Sequence, residues 1–156
     1  MSLYSFCQWC QHTSIGTAIA ASKWQFPIIE AVHLLALAWL GGMILAVDLR
    51  LAGFGSRRQP LRLFTRDLEP YLIGGLVVML TTGILLFLSE AMKCYSNPPF
   101  WFKMAFLFLA ISFTFTIRRK VAMAQTSNPL LGKAVAAVSV ILWSGVGFGG
   151  RGIGFW

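Results

Sequence analysis

The residues able to do chemistry are a histidine and a few charges set inside apolar runs. His33 stands in IEAVHLLALAWLGG, and Glu30 precedes it by three positions, a spacing that puts both on one helical face. Neutral imidazole is the usual ligand of a membrane-embedded b-type haem, and ionisable groups in hydrocarbon usually face a bundle interior. The pair predicts a haem b site with His33 as the iron ligand. The alternative is hydrogen bonding between helices, with Glu30 as the partner of His33.

Two cations from later in the chain are expected at the same level. Lys103 lies early in the apolar run of NPPFWFKMAFLF, and Arg151 closes the run of GVGFGGRGIGFW. Such cations are suited to haem propionates or anionic headgroups, whereas snorkelling to the interface is the competing interpretation. Glu90 and Lys93 join this cluster. The predicted cofactor-binding residues are therefore Glu30, His33, Lys103 and Arg151.

A second iron ligand is not evident. Electron-transfer haems of the b type usually have two axial histidines, and no other histidine lies in an apolar run. Three sources stay open: His33 from two protomers at a dimer axis, His12 folding back, or a methionine such as Met79 or Met104. A five-coordinate or partner-supplied site is also open. A homodimer or a larger membrane complex is expected on this ground.

Four apolar runs supply the elements that must position these residues. They cover about 24–49, 71–88, 100–117 and 130–148, and each is long enough to cross a bilayer. With 57% hydrophobic and 12% charged residues, the chain is predicted to be all-α, one integral membrane domain over 1–156 built as a four-helix bundle. The stretch LRLFTRDLE predicts a short interfacial helix in the first loop.

The distribution of Lys and Arg predicts the orientation. The first and third loops hold most of the basic residues, so the positive-inside rule puts these loops in the cytoplasm and both termini outside, as in a bacterial inner membrane. The net charge of +8 is then a topology signal and not a sign of nucleic-acid binding. The loop cations are Arg50, Arg57, Arg58, Arg62, Arg66, Arg118, Arg119, Lys120 and Lys133, and the tryptophans expected at the outer interface are Trp9, Trp24, Trp101 and Trp156.

Cysteines and glycines give two further expectations. Cys7, Cys10 and Cys94 fall on the predicted outer side, where Cys7 and Cys10 are able to pair. The motif CQWCQH misses the CxxCH of covalent haem by one residue, and ordinary termini or a disulfide are favoured over a metal site. Gly145 and Gly149 form a GxxxG, which predicts close helix contact.

The sequence also carries a family resemblance, in FPIIEAVHLLALAWLGGMILAVDLRLAGFG, PYLIGGLVVMLTTGILLFLSEAMKCYSNPPFWFKM and SVILWSGVGFGGRGIGFW. It resembles a bacterial family of small four-helix membrane proteins of unknown function, loosely similar to CopD and cytochrome b561-like membrane proteins. The resemblance implies a four-helix bundle with His33 as the embedded histidine and Arg151 as the matching late arginine. Some relatives are expected to have a histidine late in the third span, where this chain reads SFTFTIRRK and has none. A CopD likeness would imply copper, with the cysteines and Met43, Met79, Met92 and Met104 as candidate soft ligands.

The leading expectation is a haem b-binding membrane subunit that passes electrons near the outer face, to or from quinone. It is more an electron-transfer or accessory subunit than a stand-alone enzyme. Two alternatives stay open: a cofactor-free structural or accessory subunit of a membrane complex, and a copper or small-solute transporter. Asp48 is expected to make a local ion pair with Arg50 or to anchor the next loop.

Overall fold

The computed structural model describes residues 2–55, 59–124 and 128–155 and contains only helices in these ranges. Arg57, Arg58 and Trp156, used in the predictions above, lie outside them. The helices are α1 (Leu3–Gln11), α2 (Ser14–Ala21), α3 (Gln25–Leu51), α4 (Leu61–Ser89), α5 (Ala91–Tyr95), α6 (Pro98–Phe113), a π-helix (Thr114–Arg118), α7 (Arg119–Ala124) and α8 (Pro129–Ile153).

Four segments of the described chain are long and apolar enough to cross a membrane. They are α3, α4, the continuous stretch Pro98–Ala124 and α8. The prediction of an all-α, multi-pass membrane protein with four spans is confirmed. Proline sets two of the starts, because Pro98 and Pro129 occupy first-turn positions where the missing N–H costs nothing.

The second span is longer than predicted. The helix expected over LRLFTRDLE is present, but it continues through Pro70 into the span as the single helix α4. Leu61, Phe64 and Leu68 pack against a buried cluster that includes Val47 of α3. This tertiary packing holds the first turns of α4 in helix across a proline that on its own would favour a break.

The spans pack as two antiparallel pairs. α3 lies along α4 and also meets α8, while α6 lies along α8. A Cβ added at Gly149 would stand 3.1 Å from the backbone nitrogen of Lys103, and one at Gly145 would overlap the Phe106 ring. The close contact predicted from the GxxxG is therefore confirmed. The central core is lined mainly by Leu40, Ile44, Met79, Leu107 and Val146.

The bundle has two chemically different ends. We call one of them the terminal end; there α3 and α6 begin, and α4 and α8 end. The opposite one is called the arginine end. The terminal end also holds α1 and α2, which the sequence did not predict. Side-chain caps begin both helices, since Ser2 Oγ accepts from the Ser5 N–H at 3.2 Å and Thr13 Oγ1 from the Gly16 N–H at 3.2 Å.

Candidate functional site

A polar cluster in the terminal half of the bundle has His33 at its centre. Its Nδ1 lies 2.9 Å from Thr82 Oγ1 of α4, and its Nε2 lies 3.5 Å from Lys103 Nζ of α6. His33 is only 8% exposed. We call His33, Thr82 and Lys103 the terminal cluster; it joins three helices inside one chain.

The hydrogen bonds of Thr82 assign the tautomer of His33. The Thr82 hydroxyl donates to the Val78 carbonyl at 2.7 Å, so towards His33 its oxygen accepts. The proton of the neutral ring therefore belongs on Nδ1, and Nε2 presents a lone pair to the Lys103 ammonium, which donates. The histidine is held in one orientation from both sides.

Glycines make room for this arrangement. A Cβ added at Gly83 would lie 3.3 Å from His33 Cε1, and one at Gly150 would lie 3.6 Å from both Cε and Nζ of Lys103. The lysine side chain thus crosses the glycine face of α8 and points to His33. It does not snorkel to the interface, which was the competing sequence interpretation.

The charge of Lys103 has no carboxylate beside it. The ion pairs within 4.0 Å in the described ranges are Lys93–Glu90, Arg118–Asp48 and Arg119–Glu69. A cation in the apolar interior is costly without a counter-charge, and its partner here is a neutral imidazole. The terminal cluster therefore favours an added anionic or carbonyl oxygen.

The other predicted site residues lie apart from His33. Glu30 is exposed and makes no side-chain hydrogen bond or ion pair with the described residues. A three-residue step leaves about 60° of rotation between the two side chains, enough to turn Glu30 out while His33 faces inward. Arg151 is exposed and lies over the Phe155 ring at 5.3 Å. Of the four predicted residues, the structure brings His33 and Lys103 together.

A polar pocket opens at the terminal end, with a volume of about 530 Å³. Phe26 of α3 is seven residues before His33, and Ser89 of α4 is seven after Thr82. Seven residues return to nearly the same helical face, about 10 Å further along the axis. This terminal pocket therefore lies on the faces that carry the cluster. Its lining is Gln11, Ala20, Ser22, Lys23, Phe26, Pro27, Ser89, Glu90 and Lys93.

The residues present do not fit a haem iron at His33. The position along the Nε2 lone pair is taken by the Lys103 ammonium at 3.5 Å, and a cation there opposes metal ligation. His33 also faces its own bundle, so it cannot meet a second His33 at a dimer axis. For copper, the described residues bring no three of His, Cys, Asp or Glu into a metal-holding group.

The arginine end holds a buried ion pair that the sequence interpretation missed. Arg118 Nε lies 2.6 Å from Asp48 Oδ1, with side-chain exposures of 4% and 1%. A second donor, Arg118 Nη2, reaches the Ile44 carbonyl at 3.0 Å. Arg118 ends the π-helix, a departure from α-helical spacing that often marks a functional or constrained position. Trp143 Nε1 donates to Thr114 Oγ1 at 3.1 Å and ties α8 to the same segment.

The predicted local pair of Asp48 with Arg50 is wrong. Arg50 Nη2 instead donates to the Gln59 carbonyl, and its guanidinium lies 4.7 Å from the Phe64 ring centroid. Arg50 is two residues after Asp48 on α3, and this step turns its side chain to a different side of the helix. One signal for the pair of Asp48 and Arg118 was present in the sequence. The acid of VDLRL and the bases of TIRRK lie at the ends of two predicted spans on the same side of the membrane.

Fold and site together define a multi-pass, four-helix membrane protein with polar groups buried at each end. The chain belongs to a family of unknown function, DUF6644, whose family model matches residues 6–156. No curated protein and no solved structure matches it. The similarity to CopD and cytochrome b561-like proteins stays a prediction.

Proposed function

We propose that this chain is a membrane subunit that binds the head group of a quinone at its terminal end and serves an electron-transfer complex there. The observation that carries the proposal is Lys103, a cation inside a span whose partner in the described chain is a neutral imidazole. Quinones are lipid-soluble and supply carbonyl oxygens that accept from such a donor.

The terminal cluster has the right chemistry for both forms of the ligand. The Lys103 ammonium donates to a quinone carbonyl and stabilises the negative charge that reduction places on that oxygen. The Nε2 lone pair of His33 is suited to accept the proton of a quinol hydroxyl, with Nδ1–H held by Thr82. Thr82 is thus a positioning residue.

The terminal pocket supports the proposal by size and lining. Its volume of about 530 Å³ lies within the range of small-molecule sites, roughly 300–1,000 Å³. Lys23 and Lys93 add donors at its rim, and Phe26 and Pro27 form an apolar wall. Phe26 and Ser89 of this lining continue the helix faces of His33 and Thr82, about 10 Å further along the axis.

We propose further that the terminal end faces the outside of a bacterial inner membrane. The positive-inside rule supports this orientation, because the loops at the arginine end carry most of the Lys and Arg. Trp9, Trp24 and Trp101 are exposed at the terminal end, as expected of an interfacial aromatic belt.

Quinone titration of the purified protein tests the proposal. Decylubiquinone and a short-chain menaquinone are titrated in mild detergent, followed by quenching of tryptophan fluorescence. Lys103→Met should weaken binding of the preferred quinone by about tenfold to a hundredfold, the value of one charge-assisted hydrogen bond. Lys133→Met, an exposed lysine at the arginine end, is the matched control and should bind as the wild type does.

Absence of saturable binding in the wild-type protein, or equal affinities for both lysine variants, would contradict the proposal. The cofactor-free accessory subunit would then be preferred, with the His33 and Thr82 contact acting only to hold α3 to α4. Spectra of the same sample test haem. A Soret band that His33→Ala removes would replace quinone binding with haem binding.

A further inference from the structure

All three cysteines of the chain gather at the terminal end. Cys7 and Cys10 of α1 are each 3% exposed, and Cys94 of α5 is 8% exposed. Cys7 and Cys10 form a buried cluster with Ala91, which lies one helical turn before Cys94 on α5. The thiol face of α1 therefore packs on the face of α5 that carries the third thiol. All three are free thiols in the structure.

Contacts on both sides of the thiols hold α1 against α5. Tyr4 and Tyr95 make an edge-to-face pair with ring centroids 6.0 Å apart. Gln11 Oε1 accepts from the Met92 N–H at 3.1 Å. The register of the two helices is fixed, so the thiols meet in a defined arrangement.

The terminal pocket borders this thiol cluster. Gln11, which lines the pocket, directly follows Cys10, and Lys93, which also lines it, directly precedes Cys94. Two of the residues that line the proposed quinone site are thus sequence neighbours of the thiols. A ligand in the pocket therefore contacts residues that directly adjoin Cys10 and Cys94 in the sequence.

Geometry favours a pair between the helices. Residues three apart on a helix hold their Cβ atoms roughly 5–6 Å apart, whereas a disulfide needs about 3.5–4.5 Å. Joining Cys7 to Cys10 would therefore distort the last turn of α1. Cys7 and Cys94 stand on different helices, and Cys7 is near enough to contribute to the raised pKa of Cys94, so a disulfide between them does not have to bend α1.

We propose that Cys7 and Cys94 are a dithiol that reduces the quinone bound in the terminal pocket, a reaction that rests on the function proposed above. The two S–H bonds break and one S–S bond forms between α1 and α5. The quinone gains both electrons and both protons and leaves as the quinol. The reverse reaction, from disulfide and quinol, uses the same groups.

The surroundings of the thiols set the pH dependence. Burial raises the pKa of Cys94 to about 11, repulsion from Glu90 adds to the increase, and Lys103 and Lys93 oppose it; Cys7 makes a smaller contribution. Burial also raises the pKa of Cys10, with Cys7 adding to it. Because the thiolate is the nucleophile, the rate should rise about tenfold per pH unit from 7 to 9 if Cys94 attacks.

The test mixes the reduced protein with decylubiquinone in the absence of air. Quinol is followed by absorbance, and remaining thiols are alkylated and located by mass spectrometry. The expected result is one quinol for each disulfide, with Cys7 joined to Cys94. Cys7→Ser and Cys94→Ser should each abolish quinol formation, whereas Cys10→Ser, the buried control, should retain it.

Quinone binding by the same samples separates the two proposals. Wild-type protein that binds quinone but forms no quinol overturns the dithiol reaction and leaves the binding function standing. Loss of activity in Cys10→Ser with activity kept in Cys94→Ser overturns the assigned pair. Wild-type protein that binds no quinone overturns both.

Discussion

Each end of the bundle holds a buried or partly buried cation inside a span, and the two cations have opposite partners. Arg118 at the arginine end meets the Asp48 carboxylate at 2.6 Å and a backbone carbonyl at 3.0 Å. Within the described ranges, Lys103 at the terminal end has the neutral His33 as its side-chain partner, at 3.5 Å. The first cation has its counter-charge in the described chain, where Asp48 Oδ2 alone of the paired atoms is buried without a hydrogen bond, while the second has no carboxylate of the described residues beside it. The comparison separates a structural pair from a ligand site.

The choice of cation agrees with this division. The planar guanidinium of Arg118 offers several donors in a fixed geometry, which suits a permanent pair with Asp48 and the Ile44 carbonyl. The ammonium of Lys103 is a compact charge on a flexible stem that can turn towards a ligand. Arg118 should therefore matter chiefly for stability and Lys103 chiefly for binding.

The largest effect is expected at the arginine end. Asp48→Ala leaves Arg118 buried without its carboxylate and should lower the free energy of unfolding by about 3–5 kcal/mol. Thermal unfolding in detergent measures the loss. Arg119→Ala, which breaks the more exposed pair with Glu69, is the control and should cost about 1 kcal/mol or less. Equal losses for the two variants would contradict a structural role for Asp48.

The second effect concerns the approach of α6 to α8 that carries Lys103 to His33. Gly149→Ala places a methyl group 3.1 Å from the Lys103 backbone, and this backbone cannot move aside alone. The substitution should therefore lower the free energy of unfolding by about 1–3 kcal/mol. Gly147 has no heavy atom within 4 Å of its added Cβ, so Gly147→Ala should be neutral or stabilising by up to about 1 kcal/mol. The same unfolding assay decides, and a Gly149→Ala variant as stable as Gly147→Ala would refute the close approach.

The smallest loss of stability is expected within the terminal cluster. Thr82→Val removes the acceptor of His33 Nδ1–H and should cost about 1 kcal/mol, while quinone affinity falls several-fold because the imidazole is no longer oriented. Thr81→Val is the matched control, since Thr81 is exposed and its hydroxyl donates to the Val77 carbonyl of its own helix. A Thr82→Val variant with unchanged quinone affinity would remove Thr82 from the site.

The features that follow from local pattern were predictable. Hydropathy gave four spans, of which the second begins earlier and the third ends later in the structure than predicted. The spacing of Gly145 and Gly149 gave a close helix contact on α8. The rarity of ionisable groups in apolar runs brought His33 and Lys103 together before their distance was known. Each inference needed only one helix period and the cost of burying charge.

The features that depend on packing between distant segments were not predictable. The pair of Asp48 and Arg118 joins residues 70 positions apart, and Arg118 is the last residue of a π-helix that no local pattern indicates. The packing of Phe64 and Leu68 on α3 extends α4 through Pro70. The helices α1 and α2 are short and draw their stability from contacts with α4 and α5. Glu30 is exposed on α3. The sequence did not predict this, because helical spacing alone does not say which side of a helix is buried.

The most direct test of the division between the two ends is the quinone content of the purified protein. Wild type and Lys103→Met are prepared side by side in mild detergent, extracted into organic solvent and assayed for quinone per chain by chromatography. We expect bound quinone in the wild type and little or none in Lys103→Met, with both proteins equally folded. Equal quinone content in the two proteins, or none in either, would contradict the assignment of the terminal end as the ligand site.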